Sequence, residues 1–109
     1  MNISIVVPCF NEEDNIEKLD AELFPVAESL IGSKLPGGDT VASVEVVFVD
    51  DGSRDNTYHA LKTAFASRSS QKLPIKFEKH EVNRGLGAAI RTGLQASTGD
   101  IVLTTDSDG

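Results

Sequence analysis

The sequence has little cysteine, few aromatic residues and no long apolar run. Cys9 is the only cysteine, so no internal disulfide can form, and the chain suits a reducing compartment. The N-terminus lacks the basic region and apolar stretch of a signal peptide. No apolar run approaches the roughly 20 residues of a membrane-spanning helix. These absences predict a soluble, cytoplasmic protein.

Basic residues are also scarce. The sequence has 10 Lys and Arg residues and 17 Asp and Glu residues, which gives a formal net charge of −7. Nucleic acids and anionic membranes bind clustered Lys and Arg side chains, so neither is expected as a primary partner. The excess of carboxylates is compatible with a cation-dependent site. The chain has 109 residues, 39% of them hydrophobic, and is expected to form one domain over residues 1–109.

Four apolar runs alternate with amphipathic stretches. Continuous β-branched runs such as 3–7 and 44–49 are typical of strands that are covered on both faces of a parallel sheet. The run from 74 to about 82 alternates more, which places it at a sheet edge. Helical patterns follow the first three runs, and the fourth begins at Ile101. This order predicts an α/β fold in which a mostly parallel sheet lies between two layers of helices.

Local signals refine this expectation. Pro8 is predicted to end the first strand, and Asn11 is a good N-cap for a helix that Pro25 should kink or divide. Residues 32–43 carry three Gly and one Pro and are predicted to form a surface loop. If the strand order is 3-2-1-4, the ligand crevice lies between strands one and four, and segment 8–12 then borders it.

The fourth strand runs into two acids, Asp106 and Asp108. Ligands of open α/β sheets bind beyond the carboxyl ends of the strands. Neighbouring buried carboxylates repel each other unless a cation or a proton neutralises one of them. Hard oxygen ligands suit Mg²⁺ or Mn²⁺, and such ions commonly bridge to substrate phosphates. The pair therefore predicts a metal–diphosphate site.

Two further polar clusters follow the second and third strands. Asp50 and Asp51 precede a glycine. Their carboxylates are either part of an ordinary turn, or they accept a hydrogen bond from a ribose hydroxyl or a base N–H, or they join the outer shell of the metal. Residues 83–87 enter a helix whose free N–H groups suit a phosphate, although they match neither a dinucleotide fingerprint nor a P-loop. Arg84 is either a contact to an anionic ligand or a solvated surface residue.

The remaining reactive side chains are expected to be structural. His59 and His80 have no partner at metal-ligand spacing, so we expect both at the surface. Cys9 lacks a basic neighbour that would lower its pKa, which favours a buried thiol over a nucleophile.

Four segments stand out together by their order and spacing: 6–13 (VVPCFNEE), 49–57 (VDDGSRDNT), 83–93 (NRGLGAAIRTG) and 106–108 (DSD). They resemble the nucleotide-binding half of GT-A glycosyltransferases of family 2, and dolichyl- and undecaprenyl-phosphate sugar transferases are the most similar branch. The resemblance covers essentially the whole chain. It implies a Rossmann-like domain that binds a UDP- or GDP-sugar together with Mg²⁺ or Mn²⁺.

The resemblance also implies three groups of donor-binding residues. The first lines the nucleoside pocket, and the second contacts the base or ribose. The third is the DXD motif, whose two acids, Asp106 and Asp108, hold the metal on the diphosphate. Arg84 is added as a further donor contact. The nucleoside-pocket group is Pro8, Phe10 and Glu12, the base or ribose group is Val49 and Asp51, and the DXD group is Asp106, Ser107 and Asp108.

The implied reaction is sugar transfer with inversion at the anomeric carbon. A metal ion neutralises the charge that develops on the departing nucleoside diphosphate. An alcohol acceptor would need a carboxylate base, whereas a lipid-phosphate acceptor is already anionic. Family members continue past the DXD motif, so we expect a truncated, inactive chain whose catalytic residue and membrane-associating segments lie beyond Gly109. The fourth strand should then lie near an unpaired edge with partly uncovered apolar side chains.

Three other classes share parts of this pattern. A nucleotidyltransferase uses the same metal–nucleotide logic but carries a basic, glycine-rich loop after its first strand. A receiver domain places paired acids after its first strand and an Asp after its third. A non-catalytic binding domain would keep only the fold. Titration with nucleotide sugars, with and without Mn²⁺, distinguishes these classes.

Overall fold

A computed structural model describes residues 1–105, which form a four-stranded parallel sheet with helices on both faces. The strand order is β3-β2-β1-β4, so the predicted α/β class and the edge position of the third strand are confirmed, and the 3-2-1-4 order on which the predicted crevice depended is met. The elements are β1 (Asn2–Cys9), a 3₁₀ turn (Glu13–Asn15), α1 (Ile16–Leu30), β2 (Ser43–Asp51), α2 (Thr57–Phe65) with a 3₁₀ turn (Ala66–Arg68), β3 (Ile75–His80), α3 (Leu86–Ala96) and β4 (Ile101–Thr104).

The larger part of the core lies between the sheet and helices α1 and α2. Alternate residues of β1 and β2 point to this side, and three phenylalanines fill it. The ring of Phe65 lies 5.0 Å from that of Phe24 and 5.2 Å from that of Phe48, between ring centroids. Aromatic pairs of this kind add about 0.5–1.5 kcal/mol to the free energy of unfolding beyond the area that they bury. These rings therefore hold α1 and α2 against the sheet.

Helix α3 covers the opposite face through a small apolar cluster. Ala89 of α3 packs against Val6, Val47 and Val49, whose side chains are fully buried. Gly93 lets the helix approach closely, because a Cβ atom there would lie 2.2 Å from Cγ1 of Val6. Gly87 of the same helix has no such role, since a Cβ atom there would meet no atom within 4 Å.

A buried polar network lies at the amino edge of the same face. The carboxylate of Glu45 accepts hydrogen bonds from Ser4 Oγ at 2.6 Å and from the N–H of Thr98 at 3.0 Å, and it pairs with Lys76 Nζ at 2.6 Å. Burial raises the pKa of Glu45, but the hydrogen bonds from Lys76, Ser4 and Thr98 outweigh it and leave the pKa below its ordinary value. The network connects β1, β2, β3 and the segment before β4.

The prediction for Pro8 was wrong, and the division of α1 that was one of two outcomes predicted at Pro25 does not occur. Pro8 does not end β1, since Pro8 and Cys9 still pair with Val49 and Asp50 of β2. The carbonyl of Val6 points towards β4, so the missing N–H of Pro8, two residues on, faces that side and leaves the ladder with β2 intact. Pro25 does not divide α1, which runs unbroken through it.

Strand β4 forms one edge of the sheet in the described part of the chain. Ile101 and Leu103 are 37% and 43% exposed, which confirms the expectation of partly uncovered apolar side chains. Val102, between them, packs against the cluster beneath α3. Within residues 1–105, no helix is both long and apolar enough to cross a bilayer.

We predict opposite effects for two glycine substitutions within α3. Gly93→Ala should lower the free energy of unfolding by about 1–3 kcal/mol, because its methyl group overlaps the buried Val6 side chain. Gly87→Ala is the matched control and should be neutral or stabilising by up to about 1 kcal/mol, since alanine favours helix and the site is open. Urea denaturation measures both. Equal effects would show that α3 does not depend on its close approach to β1.

Candidate functional site

Three loops meet at the carboxyl edge of the sheet. Loop 1 (residues 10–12) follows β1, loop 2 (52–56) follows β2, and loop 3 (81–85) follows β3. In open parallel sheets this edge is where ligands bind, at the position where the strand order reverses. The reversal lies between β1 and β4 here, because β2 and β3 lie on one side of β1 and the next strand, β4, lies on the other.

Loops 1 and 2 are joined by Asn11. Its backbone N–H donates to Ser53 Oγ, and its side-chain Oδ1 accepts from the N–H of Arg54, both at 2.9 Å. The N–H of Glu12 donates to Thr57 Oγ1 at 2.8 Å. Asn11 adopts φ 52°, a left-handed conformation that asparagine tolerates better than most residues. The prediction that Asn11 caps the first helix was wrong, since α1 begins at Ile16 and Asn11 holds loop 2 instead.

Loops 2 and 3 are joined by the carboxylate of Asp51, which is 4% exposed. Oδ1 accepts from His80 Nδ1 at 2.8 Å and from the N–H of Arg84 at 2.9 Å. Oδ2 accepts from Asn83 Nδ2 at 3.1 Å and from the N–H of Gly85 at 3.0 Å. We call this arrangement the Asp51 junction. These four hydrogen bonds fill the roughly four acceptor positions that a carboxylate offers.

The electrostatics of the junction favour an ionised Asp51. Burial raises the pKa of its carboxyl group, but hydrogen bonds from His80 and from the N–H groups of Arg84 and Gly85 outweigh this and leave the pKa below its ordinary value. Asp50 is also buried and accepts hydrogen bonds from the N–H and the hydroxyl group of Ser53. Asp50 thus fixes the turn of loop 2, and Asp51 joins loop 2 to loop 3.

The backbone of loop 2 lies directly against that of loop 3. A Cβ atom on Gly52 would lie 2.1 Å from the carbonyl carbon of Val82 and 2.2 Å from the nitrogen of Asn83. Gly52 also has φ +69°, which side chains rarely adopt. The three loops therefore form one connected surface.

The structure brings most of the predicted donor-binding residues to this edge. Pro8 and Val49 are opposite each other in neighbouring strands and are buried, Val49 completely. Phe10 is 41% exposed in loop 1. Glu12 is half-buried and accepts from Asn15 Nδ2 at 3.0 Å. Arg84 is exposed in loop 3, next to the Asp51 junction.

The predicted metal ligands Asp106 and Asp108, with Ser107 between them, lie outside the described residues. β4 runs beside β1 up to Thr104, opposite Val6, and the N–H of Thr105 donates to the carbonyl of Val6 at 3.1 Å. Up to residue 105, the chain brings no group of three or more His, Cys, Asp and Glu side chains together to hold an ion. Asp51 cannot serve as a metal ligand without giving up hydrogen bonds within the protein.

His80 belongs to the site although the sequence predicted it at the surface. It is 6% exposed at the end of β3 and contacts Asp51 on one side and Thr92 on the other. The alternation of β3 contained the signal, because Ile75 and Phe77 pack on the side of α1 and α2, so that Lys76 and His80, four positions apart, share the α3 face. His59, in contrast, is exposed as expected.

Comparison with known proteins gives one consistent family. Residues 4–109 match the sequence profile of the family described as Glycosyl transferase family 2. The chain is 32% identical over 108 residues to a dolichol-phosphate mannosyltransferase of Pyrococcus furiosus. It is 31% identical over 106 residues to an undecaprenyl-phosphate 4-deoxy-4-formamido-L-arabinose transferase of Pseudomonas fluorescens. These matches cover 99% and 97% of the chain but only 26% and 27% of the relatives, so the chain spans about a quarter of their length.

Solved structures of glycosyltransferases share the fold. The mannosyltransferase PcManGT of Pyrobaculum calidifontis, in complex with GDP-Man and Mn²⁺, matches with a TM-score of 0.72 at 27% identity, over 97% of this chain and 27% of its own. TarS of S. aureus, in complex with UDP, matches with a TM-score of 0.66 at 33% identity, over 99% of this chain and 28% of its own. The α/β architecture is thus that of GT-A glycosyltransferases.

We predict that Gly52 tolerates no side chain. Gly52→Ala should lower the free energy of unfolding by about 2–4 kcal/mol, because it adds overlap with the backbone of loop 3 to the strain of a positive φ. Gly32→Ala is the matched control, since Gly32 has φ +83° but no atom within 4 Å, and should lose only about 1 kcal/mol. Chemical denaturation compares the two variants. A Gly52 variant no worse than the control would mean that the loops separate easily.

We further predict that Asp51 stabilises the fold in a pH-dependent manner. Its pKa is lowered on folding, so its stabilisation is complete above the unfolded pKa of about 3.9 and is lost as the pH falls through the lower native pKa. Asp51→Asn should therefore cost about 1.5–3 kcal/mol near neutral pH, with the difference from wild type narrowing towards about pH 3. Glu45 is present in both proteins, so its contribution cancels in the difference between their free energies of unfolding. A difference that stays constant down to that pH would contradict the prediction.

Proposed function

Because the chain belongs to glycosyl transferase family 2, we propose that it forms the nucleotide-sugar-binding part of a glycosyltransferase. The observation that carries this proposal is that loops 1, 2 and 3 are joined at the carboxyl edge of the sheet. Two proteins that share this fold were solved in complex with GDP-Man and with UDP. The reaction is transfer of a sugar from the nucleotide to an acceptor, with inversion at the anomeric carbon.

In this proposal the three loops form the wall that holds the nucleoside. Phe10 presents an exposed ring from loop 1, which suits contact with a base or ribose. Pro8, Glu12 and Val49 shape the floor beneath it, with Val49 contributing its backbone because its side chain is fully buried. The position of Pro8, Phe10 and Glu12 at the end of β1, beside the switch point of the sheet, supports this assignment.

Asp51 contacts the base or ribose at one carboxylate oxygen. The four hydrogen bonds that it already accepts mean that a ligand N–H or O–H group must replace one of them. Asn83 Nδ2 is the exchangeable partner, since it belongs to an exposed residue and lies at the longest distance, 3.1 Å. Arg84, exposed in the same loop, contacts the anionic part of the donor.

Asp106 and Asp108 would hold Mg²⁺ or Mn²⁺ on the donor diphosphate, and Ser107 between them in the sequence completes the motif. The oxygen-only ligand set suits either ion, and the Mn²⁺ complex of the related mannosyltransferase supports a divalent metal. The bound ion supplies charge neutralisation to the leaving nucleoside diphosphate. The chain's own contribution is to place the end of β4 next to β1, with Thr105 hydrogen-bonded to Val6.

The acceptor is a lipid phosphate. The names of two relatives, a dolichol-phosphate and an undecaprenyl-phosphate transferase, support this choice. A phosphate monoester is anionic at neutral pH, so it attacks without a strong general base. Such an acceptor places the reaction at a membrane surface.

Calorimetric titration with GDP-mannose, UDP-glucose and a dTDP-sugar tests donor binding. We expect one of these nucleotides to bind, and Mn²⁺ to strengthen the binding by about tenfold or more, because the ion would neutralise the charge of the protein carboxylates and of the diphosphate. Absence of binding to all three nucleotides with Mn²⁺ present would contradict the proposed function.

Substitution of the metal ligands separates metal-dependent binding from folding. Asp106→Asn and Asp108→Asn should each abolish the strengthening by Mn²⁺ and leave the melting temperature within a few degrees of wild type. Asp39→Asn is the matched control, because it removes the same charge in the connection between α1 and β2, at the opposite edge of the sheet. If the Asp39 variant also loses the Mn²⁺ effect, the ion acts through overall charge instead of the DXD motif.

A further inference from the structure

The imidazole of His80 connects the Asp51 junction to the middle of helix α3. Its Nδ1 lies 2.8 Å from Asp51 Oδ1, and its Nε2 lies 2.7 Å from the hydroxyl group of Thr92. The side chains of His80 and Asp51 are each only 5% exposed. A buried histidine with both nitrogens hydrogen-bonded is held in one orientation.

The partners also determine which nitrogen carries the proton. The ionised Asp51 carboxylate only accepts hydrogen bonds, so Nδ1 must carry a hydrogen and donate it. The hydroxyl group of Thr92 can donate or accept, so Nε2 is satisfied in either state. The hydrogen bond to Asp51 is therefore the one that depends on histidine chemistry.

His80 acts on loop 3 through a shared oxygen. Oδ1 of Asp51 accepts from His80 and, at 2.9 Å, from the N–H of Arg84. Oδ2 of the same rigid carboxylate accepts from the N–H of Gly85, the residue that precedes α3. An imidazole that fixes the rotation of this carboxylate thereby fixes two consecutive backbone N–H groups of loop 3.

We propose that His80 is a positioning residue for the nucleotide sugar, which acts by orienting Asp51 and, through it, the backbone at Arg84 and Gly85. The inference rests on the proposed function, because loop 3 is one wall of the proposed donor site. His80 itself touches no ligand in this proposal.

Two substitutions separate the positioning role of His80 from its contribution to packing. His80→Leu removes both hydrogen bonds, whereas His80→Asn keeps a donor at the place of Nδ1 and loses the bond to Thr92. We expect His80→Leu to raise the Kd for the nucleotide sugar with Mn²⁺ by roughly tenfold, which is the loss of one hydrogen bond to a charged group. His80→Asn should restore most of that affinity.

Ser4→Ala is the matched control. It removes a hydrogen bond to Glu45 in the other buried polar network on the same face of the sheet, away from the loops. It should lower the melting temperature as the His80 variants do and leave the Kd unchanged. If Ser4→Ala weakens binding as much as His80→Leu, or if His80→Asn restores nothing, the positioning role is wrong.

Amide hydrogen exchange without nucleotide tests the junction independently of the proposed function. In His80→Leu, exchange at the N–H groups of Arg84 and Gly85 should accelerate by about tenfold relative to wild type, with His80→Asn in between. Unchanged exchange at these two groups overturns the proposal even if binding is lost. If exchange accelerates but the wild-type protein binds no nucleotide, the proposed function fails and His80 orients loop 3 for another ligand.

A further variant applies if His80→Leu does not fold. Thr92→Val keeps the shape of the side chain and removes only the hydroxyl group that holds Nε2. It should accelerate exchange at Arg84 and Gly85 and raise the Kd by about threefold. Wild-type values in both measurements would overturn the proposal.

Discussion

Burial of the ionised Asp51 carboxylate is the constraint on which the loop architecture depends. A charge taken out of water costs several kcal/mol unless hydrogen bonds replace its hydration. Here the replacement comes from β3, from the side chain of Asn83 and from two backbone N–H groups of loop 3. Loop 3 therefore has one favourable conformation, and loop 2, pressed against it at Gly52, follows.

The connection continues to loop 1 through Asn11, so three loops that are far apart in sequence behave as one surface. Strands β1 and β2 supply the rigid base, because both are buried along nearly their whole length. A site of this kind is preorganised, which lowers the entropy that a flexible nucleotide ligand would otherwise lose on the protein side. This is the physical link between the fold and the proposed donor binding.

Patterns of apolar residues were enough to predict the parallel sheet and the edge position of β3, whereas the strand order entered only as a condition that the structure meets. Family membership then selects the glycosyltransferase reading from the alternatives that the acidic clusters left open. The side-chain roles of Asn11 and His80 were not predictable in this way, because each depends on a partner about 12 to 43 positions away that only the folded sheet brings near. Pro8 was misread because a proline disrupts only the side of a strand to which its nitrogen points. The nine donor-binding residues stay a prediction.

The two buried polar networks on the α3 face have a consequence for how β3 can pair. Lys76 serves one network and His80 the other, and both point to the same side of the strand. A slip of β3 by one residue would turn both side chains to the phenylalanine-filled side and bring Ile75 and Phe77 to the carboxylates. Misregistered pairing would thus bury the Lys76 ammonium group and the His80 imidazole in hydrocarbon and leave the carboxylates of Glu45 and Asp51 without these partners, so the polar side chains select the register of the edge strand during folding.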